Sequence, residues 1–374
     1  MTSRRDVLRA GVALSAALAT PALAGRAAAA DAVFAPAPGN WRRFTLTTRI
    51  APKRPDGGTG RLQAWVPLPS IEAAAWIRPG DNTRWTTNAA SATIERDAAS
   101  GAAMLHLVWA DGETAPSAEV TSSAALRDRA VALAAPGATQ PLTDAERQRY
   151  LRPTALIPTD GIVKETADRI TAGAEGELAK ARAIYEWVVL NTFRDAAVRG
   201  CGLGDIAAML QTGYLGGKCA DLNALYVGLA RASGIPARDV YGIRVAASRF
   251  GYKSLGANSP AVTKAQHCRA EVHLDSFGWV PVDPADVRKV ALEEPPGQLA
   301  LDDPKVAAAR GGLFGAWEGN WIAYNDAHDV ALPGSAGPAV AFLMYPQAEV
   351  AGVRLDCLDA DTFAYSLDAA EISV

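Results

Sequence analysis

A glycine-framed cysteine at the start of one helix constrains this chain more than any other feature. From Gly213 to Pro236 it reads GYLGGKCADLNALYVGLARASGIP. Gly213, Gly216 and Gly217 bring the backbone in with conformations other residues avoid. Leu222, Leu225, Tyr226 and Leu229 then recur at helical spacing and form one apolar face. Gly234 suits a helix C-terminal cap, and Pro236 forbids continuation. Cys219 falls in the first turn, on the side facing the core. There the free N–H groups and the helix dipole favour a thiolate, and a thiol pKa can fall from about 8.5 to well below neutrality. In isolation such a cysteine is a packing residue. A later stretch reverses that reading.

Gln266 to Arg288 reads QHCRAEVHLDSFGWVPVDPADVR. Two alternating runs, His267–Leu274 and Trp279–Asp283, flank Asp275-Ser276-Phe277-Gly278, which is a hairpin signal. Antiparallel pairing puts an early residue of the first strand near a late residue of the second, so His267 and Asp283 can meet at one end. A turn centred on Ser276–Phe277 would set Asp283 opposite Ala270 and His267 opposite Asp286. A bulge or offset loop is then required to join His267 to Asp283. A cysteine on a helix start, a histidine and an aspartate together meet the requirements of thiol acyl transfer. Thiolate attacks a carbonyl, imidazole moves the proton, and carboxylate fixes the imidazole.

With these residues in view, G-G-K-C-A-D, L-x-R-A-S-G-I-P-A-R and the H-x-x-x-E-V-x-L…G-W-V-P-V-D-P pair resemble the transglutaminase-like superfamily of papain-like thiol enzymes. The resemblance covers roughly residues 178 to 288. It implies an α+β, papain-like catalytic core with Cys219 as nucleophile, His267 as base and Asp283 as orienting acid. It implies no cofactor and no metal. Arg269 stands where many members carry an aromatic residue.

The rest of the chain divides around that core. Residues 1–30 read as a twin-arginine-like export signal: Arg4-Arg5 precede the alanine-rich run Ala10–Ala24, with small-residue cleavage candidates at Ala24 and Ala30. Without them 33 basic residues face 39 acidic, a net charge of −6, and no basic run suggests nucleic acid. No remaining segment is long and apolar enough to span a membrane, so no stable membrane anchor is expected after signal removal. Residues 38–133 carry strand-like runs between Pro/Gly turns and read as a β-sandwich-like domain, with Trp65, Trp76, Trp85 and Trp109 as core and His106 on a strand face. The catalytic core is expected over 143–290, with Thr143 and Asp205 as helix caps, helices at Gly161–Thr171 and Glu177–Asn191, and a rim or lid at Ala246–Ala265. Glu293–Arg310 reads as loop, and 311–374 as a β-rich C-terminal extension.

Several alternatives are weighed and set aside. Thr212 and Cys219 occupy the positions where a phosphate loop needs glycine and Ser/Thr. His273, six residues after His267, ranks second as a base. Asn325-Asp326-Ala327-His328-Asp329 has the composition of a metal site but equally that of a polar loop; Asp359 and Asp361 lack the rest of a calcium loop. No C-x-x-C spacing supports zinc among Cys219, Cys268, His267 and His273. With Cys219 free, at most one disulfide can join Cys201, Cys268 and Cys357. The backbone N–H of Cys219 and either Gln211 or Gln266 are the candidates for an oxyanion hole. The expected function is cysteine-dependent acyl transfer or hydrolysis at amide bonds of proteins or peptides, periplasmic or secreted, with cell-wall peptide as a substrate by compartment. The alternative is an exported binding module that keeps the fold without the chemistry.

Overall fold

Strict alternation builds the first layer. In the strand Arg42–Pro52, Phe44, Leu46, Thr48, Ile50 and Pro52 face inward while their neighbours face out. Ala118–Leu126 alternates in the same way and pairs antiparallel with it. The computed structural model describes residues 33–55, 59–137 and 139–372. The expected export signal lies outside these residues.

Two five-stranded sheets face each other here, as the alternation of the first part requires. One runs Phe363–Ile372, Arg42–Pro52, Ala118–Leu126 and Ile77–Pro79, with Arg84–Thr87 also on Ala118–Leu126. The other runs Val353–Arg354, Gln347–Val350, Leu62–Pro67, Ala103–Trp109 and Ser91–Arg96. Ile50, Val120 and Phe363 from the first meet Leu62, Val66, Leu105 and Trp109 from the second in a shared core. His106 is satisfied within the second sheet: its Nε2 lies 2.9 Å from Gln63 Oε1, and the ring stacks on Trp65.

The β-rich stretch at 311–374 packs on the rest of the chain by strand pairing. Phe363–Ile372 runs antiparallel to Arg42–Pro52 through ten residue pairs, from Arg43 opposite Ile372 to Pro52 opposite Phe363. Gln347–Val350 pairs with Leu62–Pro67, and Trp321–Asn325 pairs with Ala237–Arg244. The end of the chain completes sheets begun elsewhere, because an edge strand's open backbone groups are satisfied by whichever strand reaches them.

A four-stranded antiparallel sheet carries the second half: Gly278–Val282, Gln266–Leu274, Ala237–Arg244 and Trp321–Asn325. The helix Cys219–Ala232 packs on it with Leu222, Leu225, Tyr226 and Leu229 fully buried against Cys268, Ala270 and Val272. It ends where Gly234 takes φ +80°, a left-handed value that glycine adopts without penalty. Helices Gly161–Thr171 and Gly176–Asn191 flank it, and Thr143 closes a reciprocal capping box with Glu146. The stretch read as loop after Glu293 holds a further helix, Pro304–Gly312, capped by Asp303. The Asp-Pro pair that starts it is the usual N-terminal signal.

Candidate active site

Glycine at 216 and 217 is required by space. A Cβ on Gly216 would lie 2.4 Å from the Phe193 ring, and one on Gly217 would lie 2.5 Å from Asp221 Cβ. This close approach lets the turn enter the helix directly at Cys219, with Lys218 as its N-cap. Asp221 fastens the glycine-rich turn Gly200–Gly204 to the one before Cys219: its carboxylate accepts from the N–H groups of Leu203, Gly204 and Lys218 at 2.9–3.0 Å. Ala220 donates its N–H to the Cys201 carbonyl at 2.9 Å, which brings Cys201 beside Cys219.

Cys219 is 4 % exposed, yet it lines a cavity of about 470 Å³ together with Cys201, Gln266, His267 and Tyr345. All four cysteines are free thiols. The Cys219 thiol is held well below its ordinary range. Hydrogen bonding with Cys201 and Cys268 contributes most, burial opposes it, and His267 adds a hydrogen bond and its charge. The Cys201 thiol is pushed up by the same contact, and Cys268 by burial and then by Cys219. One sulfur of the three is therefore the thiolate.

His267 lies on the strand Gln266–Leu274, and its Nε2 is 2.8 Å from Asp283 Oδ2. With Nε2–H donating to that carboxylate, Nδ1 is left for the thiol. Of the two devices expected, a bulge or an offset loop, the hairpin has the offset loop and no bulge. Leu274 pairs with Gly278 across a three-residue loop, one residue shorter than expected, and Gly278 takes φ +67°. The strand then ends at Val282, and Asp283 becomes the N-cap of the helix Pro284–Glu293, its Oδ1 accepting from Asp286 N at 3.0 Å. Capping turns the carboxylate back toward His267 where strand register would have carried it past.

Four residues that the sequence reading missed complete the setting. Asn223 donates Nδ2 to the Cys268 carbonyl at 2.8 Å and to Asp283 Oδ1 at 3.2 Å. Asp286 lies 3.4 Å from His267 Nε2 and accepts from Arg244 through both oxygens, at 2.6 and 2.8 Å. Burial and the Arg244 charge oppose the imidazolium, but Asp286 and Asp283 outweigh them and raise the His267 pKa to about 9. Asp286 is also buried, yet Arg244 and then His267 hold its carboxyl well below the usual range. Finally, Tyr345 Oη stands on the cavity wall without a hydrogen-bond partner among the described residues, as does Gln266 Nε2. Asn223, four residues after Cys219 and so on the same helix face, had a legible signal. Arg244 and Tyr345 had none.

The other candidates fall elsewhere. His273 packs edge-on against Trp279 and is not on the cavity wall. Gln211 is exposed and away from that wall, which favours Gln266 of the two. Asp326 is taken by Arg149, Arg238 and Tyr150, and Asp329 accepts from the Ala155 N–H. His267, Asp283 and Asp286 lie close enough to suit a cation, but each carboxylate oxygen already accepts from a protein donor. Arg269, where an aromatic was the familiar residue, lies against the rings of Trp317 and Trp321 with Nε 3.8 Å from Asp283 Oδ2. The segment 246–265 forms a rim, tied down where Val262 donates to the Leu367 carbonyl and Ser254 to Glu294.

Comparison with known proteins points to one family. The model of the Transglutaminase-like superfamily matches residues 164–284, which hold Cys219, His267 and Asp283. An uncharacterised protein of Haemophilus influenzae is 38% identical over 327 residues, covering 83% of this chain and 86% of that protein. A solved structure of a candidate cysteine protease from Cytophaga hutchinsonii shares the fold at a TM-score of 0.53 and 13% identity, over 90% of this chain and 92% of that one. The periplasmic domain of TgpA from Pseudomonas aeruginosa superposes more loosely, with a TM-score of 0.35 and 16% identity over 66% of this chain and 88% of that one. The chain belongs to the transglutaminase-like superfamily, a thiol-enzyme family with an α+β core.

Proposed function

We propose that the protein transfers or hydrolyses acyl groups at amide bonds of peptides or proteins, through a thioester on Cys219. One observation carries the reading: a depressed cysteine thiol, a histidine and its aspartate line or back a single cavity, with Cys219 at the open end of a helix. Thiolate attack on the carbonyl forms the C–S bond and an oxyanion. Collapse breaks the C–N bond, and His267 gives its proton to the leaving amine. Water or an amine, deprotonated by His267, then attacks the thioester and releases the thiolate. The first backbone N–H groups of a helix have no intrahelical acceptor, so the Cys219 N–H suits the oxyanion. Gln266 Nε2 and Tyr345 Oη are the side-chain donors placed to assist it. Asp283 orients the ring, and Asp286 with Arg244 supports its charge. Export to the periplasm or outside rests on the signal read at residues 1–30.

The test is product analysis. A defined mixture of short peptides, incubated with the protein, is expected to yield new termini or amine adducts by mass spectrometry, and none with Cys219→Ala. Products unchanged in Cys219→Ala would remove the thiol mechanism. Binding of peptides with no products at all would favour a binding module.

A further inference from the structure

The charge around Cys219 runs against that of the chain. The sequence carries a formal net charge of −3, but no Asp or Glu lines the cavity. Six basic side chains do: Arg194, Arg199, Lys218, Arg244, Lys264 and Lys289. Part of that charge is answered from behind the wall, where Glu293 pairs with Arg194 and lies 3.8 Å from Lys289, Asp356 pairs with Arg199, and Asp286 pairs with Arg244. Lys218 and Lys264 have no ion-pair partner among the described residues. Both line the cavity that holds the sulfur, Lys218 as the helix N-cap immediately before Cys219 and Lys264 on the rim just ahead of His267. The Tyr345 hydroxyl, beside the Cys201 thiol, adds a donor on the same wall.

We propose that the site selects peptides carrying carboxylates beside the reacting carbonyl, with Lys218 and Lys264 as the residues that recognise them. This rests on Cys219 being the nucleophile and names the substrate class of that same site. An amide carbonyl is neutral and needs no cation to reach the cleft. Asp195 beside the cleft answers part of the Lys218 charge, but a cleft lined by one sign of charge still attracts anions selectively, focusing the field and raising the local concentration of the opposite sign by about 10- to 10³-fold. A cavity of about 470 Å³ has room for a few residues of peptide.

Two alkylating probes of nearly equal size test this: iodoacetate, which is anionic, and iodoacetamide, which is neutral. The readout is the ratio of their rates at Cys219 in the full chain, at low ionic strength, against the same ratio for free cysteine. The proposal predicts a protein ratio at least about tenfold above the reference. That excess should fall several-fold in Lys218→Gln and in Lys264→Gln, and further in the double variant. Raising salt to shrink the Debye length to about 3 Å should reduce it most in the wild type and least in the double variant. His267 is common to all variants, so its own pull on the anion does not produce the difference. Fast labelling by both reagents with an unchanged ratio in the lysine variants overturns the anionic substrate and leaves the thiol enzyme standing. No labelling of Cys219 by either reagent overturns both.

Discussion

Asn223 donates its side-chain amide to Asp283 at 3.2 Å, one turn beyond Cys219. The helix that carries the sulfur thereby holds the carboxylate, and through the Cys268 carbonyl it also holds the strand that carries His267. Three segments distant along the chain are locked together by one residue with no exposed surface.

Replacing Asn223 by alanine removes that lock. Two buried acceptors lose a donor, and stability is expected to fall by about 1–3 kcal/mol. Urea unfolding measures the loss. Asn223→Asp should cost more, because it sets another carboxylate against Asp283. Unfolding midpoints that do not move would show that the contact has no structural weight.

Arg244 and Asp286 are both 2 % exposed or less. Arg244→Met removes the main partner of the buried Asp286 charge and leaves it to His267 alone among close groups, which is expected to destabilise by about 3 kcal/mol. Adding Asp286→Asn should recover much of it, since the uncompensated charge goes as well. A double-mutant cycle on unfolding free energies decides. Additive losses would mean that the pair is not coupled.

Asp283 has two tasks, capping a helix and orienting a ring. Asparagine caps helices as well as aspartate does, so Asp283→Asn should keep its far-ultraviolet circular dichroism while turnover falls on the order of 10⁴-fold, as when a triad carboxylate is neutralised elsewhere. Asp283→Ala should lose both and melt lower. A turnover unaffected by Asp283→Asn would assign the residue to the cap alone.

The thiolate–imidazolium pair sets the pH response. Cys219 is depressed and His267 is raised to about 9, so the pair exists between the two values. As pH falls through the thiol value, sulfur takes a proton. As pH rises through about 9, His267 loses the proton that the leaving amine needs. Acylation should be flat across neutral pH and decline on the alkaline side near 9, and Asp286→Asn should move that limb to lower pH by removing a charge that favours the imidazolium. A rate rising steadily through pH 9 would mean that the thiol titrates normally.

What was legible in the sequence was local. The Cys219 helix, its stop at Gly234 and the hairpin that bears His267 all follow from periodicity and turn residues. The meeting of His267 with Asp283 was readable as chemistry but not as geometry, because the carboxylate arrives through a helix cap and no strand register reports that. Arg244, on a neighbouring strand, carries no pattern pointing at Asp286. The closing strands were visible as strands without visible partners. Phe363–Ile372 shows alternation, but nothing in that period names Arg42–Pro52, some three hundred residues earlier, as its neighbour.

The most direct measurement is the alkylation rate of Cys219 by iodoacetamide at pH 6, followed by peptide mass mapping, in the wild type and in His267→Ala. Cys357, half-buried and with its thiol pushed up by burial, is the internal reference. The account predicts that Cys219 reacts far faster than Cys357 and that His267→Ala slows it about tenfold or more. Labelling of Cys219 no faster than Cys357, or a rate indifferent to His267, would contradict it.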